Sequence, residues 1–157
     1  MTQVFVDLDG VLADFDSHHH AVFGIMPDKT IDNVDWAKVR SIPGFYADIP
    51  LMCDALRLWN FLKMYLEKPA IVLTGIPKSV EEAAANKTAW VARHLGADVE
   101  VRCCRSSEKC THAAPGDILI DDWTKYQHLW IAKGGRWITH ISAELSIKQL
   151  RNISIEP

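Results

Sequence analysis

Short apolar runs that stop at a polar turn, each followed by a helical pattern, constrain this chain more than any other feature. The runs are residues 3–6 leading into Asp7, 70–73 leading into Thr74 and Gly75, 99–103, 118–120 leading into Asp121 and Asp122, and 137–141. Runs of this length bounded by turn residues read as strands, and the continuous ones as strands buried on both faces. Between them, Ala55, Leu58, Trp59, Leu62, Tyr65 and Leu66 fall at helical spacing. Ser79 and Glu82 form a capping box that opens a helix stopping near Gly96. Residues 124–133 form another, closed by Gly134 and Gly135, and 142–150 a last one. Strands alternating with helices predict a Rossmann-like α/β fold: a three-layer parallel sheet with helices on both faces.

Residues 16–50 break this alternation. They hold Pro27, Pro43, Gly44 and Pro50, with short helical pieces around 18–23 and 36–40. They read as a small, mainly helical cap inserted after the first strand. The core is then about 1–15 and 51–157, and the 157 residues suit one compact domain carrying a small insertion. The net charge of −3 argues against an extended nucleic-acid surface. No apolar run approaches a membrane span, and the N-terminus lacks a signal-peptide pattern, so a cytoplasmic protein is expected. Cys103, Cys104, Cys110 and His112 lack the paired spacing of zinc ligands and read as reduced thiols in and beside a strand, with a histidine nearby. His18, His19 and His20 would point in three directions on a helix, which argues against one shared metal.

Ligands of an open α/β sheet bind beyond the carboxyl ends of its strands. The polar residues gather there: Asp7 and Asp9 after the first strand, Thr74 and Gly75 after the second, Asp121 and Asp122 after the fourth. Asp7 and Asp9 are two residues apart, so on an extended chain both carboxylates share a face. Like charges this close need a cation or a shared proton, and an oxygen-rich site of this kind suits Mg²⁺ with a substrate phosphate. Asp117 starts the fourth strand and belongs at the opposite end of the sheet. Thr74, with free backbone amides beside it, and Lys109 are placed to hold phosphate oxygens; Lys78, Lys87, Arg102 and Arg105 are rival cations. Phe15, Phe45 and Tyr46 flank the cap and suit stacking on a substrate ring, with core packing as their other use.

Residues 7–15, Asp-Leu-Asp-Gly-Val-Leu-Ala-Asp-Phe, resemble the first motif of the haloacid dehalogenase-like hydrolases, in the form carried by the 5′(3′)-deoxyribonucleotidase branch. Ile42-Pro43-Gly44-Phe45-Tyr46 is similar to a cap segment of that branch. Val72-Leu73-Thr74-Gly75 stands at the second motif, Lys109 at the third and residues 116–122 at the fourth. The stretch from Lys87 to Val91, with His94, Leu95 and Gly96, resembles the helix after the second motif. The resemblance implies that Asp7 is the nucleophile and Asp9 the general acid and base. It implies Mg²⁺ held by an Asp7 oxygen, the Asp9 carbonyl and Asp121 or Asp122, with Asp122 favoured. Thr74, Gly75 and Lys109 would bind the phosphoryl group, and Phe15 and Phe45 the substrate. Gly75 stands where that branch carries serine, Arg40 where it carries tyrosine, and the cap is short.

The function expected is a Mg²⁺-dependent phosphomonoesterase acting on a small phosphorylated substrate, a (deoxy)nucleoside monophosphate. Rival substrates are a sugar phosphate or a phosphorylated nucleic-acid end. A non-catalytic nucleotide-binding module is the rival from another class, and dehalogenation the weakest, since it needs neither Asp9 nor the metal acids. A homodimer is left open.

Overall fold

The computed structural model describes residues 2–28, 34–78 and 80–153. Five parallel strands form one sheet: β1 (Val4–Val6), β2 (Ile71–Gly75), β3 (Val101–Cys104), β4 (Ile118–Asp121) and β5 (Arg136–Thr139), in the order β3-β2-β1-β4-β5. Alternate residues of the central strands face opposite layers. Val4, Val6, Val72, Ile118 and Ile120 enter the larger core, while Phe5, Ile71, Leu73 and Leu119 face a smaller one with Trp130. Burial on both faces is why these strands read as unbroken apolar runs.

Six helices are described: α1 (Phe15–Phe23), α2 (Trp36–Ser41), α3 (Ala55–Tyr65), α4 (Ala83–His94), α5 (Gln127–Ala132) and α6 (Ala143–Asn152). Leu58, Trp59 and Leu62 of α3, Trp90 and Val91 of α4 and Leu150 of α6 pack into the larger core. Trp130 of α5 seals the other face, edge-on to Phe5 at 5.5 Å between ring centroids. The three-layer α/β architecture is thus the one the strand–helix alternation predicts.

Local boundaries differ from the sequence pattern for identifiable reasons. Helix α4 starts at Ala83, and the Glu82 carboxylate just before it accepts from Gly44 N at 2.7 Å. The other member of the expected capping box, Ser79, lies outside the described residues. The helix expected over 124–133 divides into a 3-10 turn, Thr124–Tyr126, and α5. Ser142 caps α6, its hydroxyl accepting from Leu145 N. A 3-10 segment over Ser106–His112, unpredicted by periodicity, links β3 to β4.

Residues 15–50 contribute α1, α2 and a 3-10 turn at Phe45–Ala47. The end of this segment is pinned to α4. Trp90 Nε1 donates to Ile49 O at 2.6 Å, and Arg93 donates to Ala47 O at 3.2 Å. Among the described residues no helix is long and apolar enough to cross a membrane.

Candidate active site

The chain steps from β1 to β2 and β3 on one side, then crosses back to β4 and β5 on the other. Such a reversal opens a crevice at the carboxyl ends of the central strands. Asp7 follows β1 there, its N–H donating to Ile120 O at 2.8 Å, and Asp121 ends the neighbouring β4. Residues from separate stretches of sequence therefore meet because the strands are parallel and adjacent.

Two buried lysines divide the acids between them. Lys109 Nζ lies 2.9 Å from Asp7 Oδ1 and 2.7 Å from Asp121 Oδ2. Lys87 Nζ lies 2.5 Å from Asp9 Oδ2 and also donates to Gly75 O at 2.6 Å and to Thr74 Oγ1 at 3.2 Å. The Tyr46 ring covers the same ammonium, 4.6 Å from its centroid. Asp7 and Asp9 thus share a face but not a partner.

These environments set proton affinities. Burial raises the Asp9 carboxyl, Lys87 opposes that, and the Asp7 charge adds to it, for a net rise. Burial and then the Asp7 charge push Asp121 up to about 6, against the pull of Lys109. Burial alone would lower Lys109, but Asp7 and Asp121 outweigh it and hold the ammonium above its ordinary range.

Asp7, Asp121 and Asp122 are the one group among the described residues with enough metal-ligand atoms in reach, all within 4.8 Å of one another. Asp7 Oδ1 is buried without a hydrogen bond, although Lys109 is near it as an ion pair, and Asp9 Oδ1 is likewise buried and unbonded. Asp7 and Asp121 share the Lys109 ammonium, and with Asp122 they bring carboxylate oxygens from two strand ends together. An all-oxygen donor set of this kind fits a hard divalent cation such as Mg²⁺. Gly10 keeps the geometry open: its φ is +79°, and a Cβ there would come within 2.8 Å of both Asp122 carboxylate oxygens.

A cleft of about 200 Å³ opens over these groups. Asp7, Asp9, Gly10, Gly75, Ser106 and Asp122 form its floor, and Phe15, Trp36, Tyr46 and Trp123 give it aromatic walls. Not every expected residue reaches it. Thr74 is fully buried, with its hydroxyl turned to Lys87. Phe45 sits behind the wall at 1% exposure, because its 3-10 turn directs it into a cluster with Phe15, Phe23 and His18. Lys109 acts on the floor from below through its ion pairs. Asp117 caps the far end of β4, accepting from Gln3 N and Ala114 N at 2.9 Å each.

Lys87 is the residue that sequence reasoning undervalued. Its signal was a lysine on the core-facing stripe of α4, in register with Ala83, Trp90 and Val91. Trp36, Trp123 and Ser106 carried no comparable signal, since only the folding of distant loops brings them to the cleft.

No family model matches the chain. Its fold matches that of a haloacid dehalogenase family hydrolase from Deinococcus radiodurans, crystallised with phosphate and sodium, over 93% of this chain and 87% of that one, with a TM-score of 0.51 and 14% identity. This chain therefore shares its fold with that hydrolase. Sequence relatives narrow the likeness to one branch. The human 5′(3′)-deoxyribonucleotidase of cytosolic type is 29% identical, over 76% of this chain and 70% of its own length. A Bordetella pertussis protein provisionally named 5′(3′)-deoxyribonucleotidase is 28% identical, over 76% of this chain and 73% of its own. The branch read from the motifs is the branch these relatives carry.

Proposed function

We propose that this chain is a Mg²⁺-dependent phosphomonoesterase that dephosphorylates (deoxy)nucleoside monophosphates through an aspartyl-phosphate on Asp7. One observation carries the reading: two neighbouring carboxylates, Asp7 buried and Asp9 half-buried, are held by different lysines, beside an acid group fit for a divalent cation. A nucleophile and a proton shuttle need different environments, and this arrangement supplies them.

In the first step an Asp7 oxygen bonds to phosphorus as the bond to the leaving oxygen breaks, and Asp9 delivers its proton to that oxygen. The raised proton affinity of Asp9 suits this role. In the second step Asp9 takes a proton from water as that water attacks phosphorus, freeing phosphate and restoring Asp7. Lys109 balances charge on Asp7 and the transferring group. Asp7, Asp121 or Asp122, and the Asp9 carbonyl would hold Mg²⁺, whose bound charge offsets that of the phosphoryl oxygens.

Residues 16–50 act in this reading as the cap. Phe15, Trp36, Tyr46 and Trp123 suit a planar base better than a sugar, which favours nucleotides over sugar phosphates. The relative named as cytosolic supports a cytoplasmic setting.

The test is phosphate release from a panel of nucleoside monophosphates, sugar phosphates and 5′-phosphorylated oligonucleotides, with Mg²⁺ and with chelator. Nucleoside monophosphates should be turned over about 10-fold or more efficiently than the rest, and chelator should stop release. Nucleotide binding without release would instead identify a binding module. Equal turnover of all monoesters would overturn the substrate assignment.

Gly10→Ala probes the metal directly. The new methyl meets the Asp122 carboxylate and the φ of +79° disfavours any side chain. The Mg²⁺ concentration for half-maximal activity should rise about 10- to 100-fold. An unchanged requirement would remove Asp122 from the metal's surroundings.

A further inference from the structure

Strand β2 ends at Gly75, level with Cys104 of β3. Two residues beyond Cys104 the chain turns over the end of β2 and begins the 3-10 segment at Ser106. A Cβ built on Gly75 would lie 2.3 Å from Ser106 Oγ and 3.4 Å from Ser106 Cβ. The Ser106 hydroxyl therefore occupies the volume that a side chain at position 75 would fill.

That hydroxyl is at the cleft floor with Asp7, Asp9 and Asp122. It is half-buried and makes no hydrogen bond among the described residues. Residues three apart on a 3-10 helix eclipse one another. Ser106 thus shares a face with Lys109, whose ammonium is 2.9 Å from Asp7. A hydroxyl with a free proton, on the same face as a buried cation and beside the nucleophile, is suited to a phosphoryl oxygen. Thr74 is committed to Lys87, so the neighbouring strand end leaves this role open.

We propose that Ser106 is a phosphate-binding residue of this site, and that position 75 is glycine because the Ser106 hydroxyl stands in its place. The inference rests on the phosphatase reading above. It implies that a hydroxyl can serve from position 106 or from position 75, but not from both.

Four proteins test it: wild type, Ser106→Ala, Gly75→Ser and the double variant G75S/S106A, with Ser107→Ala as a control outside the cleft. Each is assayed for kcat/KM and titrated with inorganic phosphate in the presence of Mg²⁺, after a melting curve shows it folded. Ser106→Ala should lower kcat/KM about 10- to 100-fold and weaken phosphate binding. Gly75→Ser should also lose activity, through its clash. The double variant should regain most of what either single change loses. A folded Ser106→Ala protein with wild-type phosphate affinity and turnover overturns the inference and leaves the phosphatase reading standing. So does a folded double variant no better than the poorer single one. Wild-type protein that releases no phosphate from any monoester overturns the reading beneath, and the phosphate titration still decides whether Ser106 binds the anion.

Discussion

Asp7→Asn should abolish phosphate release, by about 10⁴-fold or more, without unfolding the protein. The amide keeps the size of the carboxylate but cannot form the acyl phosphate. Its backbone bond to Ile120 O is untouched, and Lys109 keeps Asp121 at 2.7 Å. Substrate binding should survive, so the variant should still take up nucleotide in a direct titration. Residual turnover within about 10-fold of wild type would exclude Asp7 as the nucleophile.

The same change should alter how the stability of the protein in chelator depends on pH, because it removes a repulsion on Asp121 along with the ion pair to Lys109. Burial and the Asp7 charge push Asp121 up to about 6, against about 3.9 in an unfolded chain. Between those values the folded state holds a proton that the unfolded state has released. This site's contribution to stability is therefore full below about pH 4 and falls as pH rises towards 6. Asparagine at position 7 removes the second cause of that rise. In chelator, the melting temperature of the variant relative to wild type should increase from about pH 5 to about pH 7.5. A difference between variant and wild type that does not grow with pH would mean that the Asp7 charge does not raise Asp121.

The meeting place of the acids was legible in the sequence for a physical reason. Strands buried on both faces write themselves as apolar runs, and the first polar residue after each run marks a carboxyl end. Asp7, Thr74, Asp121 and Asp122 were found in that way, before any family likeness. What each side chain does there was less legible. Thr74 sits at the predicted strand end, yet its hydroxyl serves Lys87, because a buried ammonium needs acceptors. Phe45 and Tyr46 are adjacent, but the 3-10 turn sends Phe45 into the aromatic cluster and only Tyr46 to the cleft. Ser106 was hidden because a loop serine becomes meaningful only when the register of β2 and β3 sets it over Gly75. Periodicity sees the elements, whereas these roles depend on contacts between them.

Lys87→Met should damage both stability and chemistry. The side chain is 1% exposed, so methionine can fill much of its volume while removing the charge. Asp9 then loses its ion pair, and Gly75 O and Thr74 Oγ1 lose their donor. Breaking a buried pair by removing one partner costs about 3–5 kcal/mol when the remaining group stays charged. Asp9 can escape part of that cost by taking up a proton, because Lys87 is the main influence holding its proton affinity down. Its already raised pKa must rise further. In the folded state a raised carboxyl pKa favours stability at low pH and withdraws it as pH increases, so the deficit of the variant should be smaller near pH 5 than near pH 8. Urea midpoints at the two pH values measure this. Catalysis should show the matching signature. The second step needs Asp9 as a base, so the rise of kcat with pH should move to higher pH, and Lys87→Arg should recover part of the shift. An unshifted profile with lowered stability would reduce Lys87 to a packing role, and with it the separation of Asp7 from Asp9 on which the two-step chemistry depends.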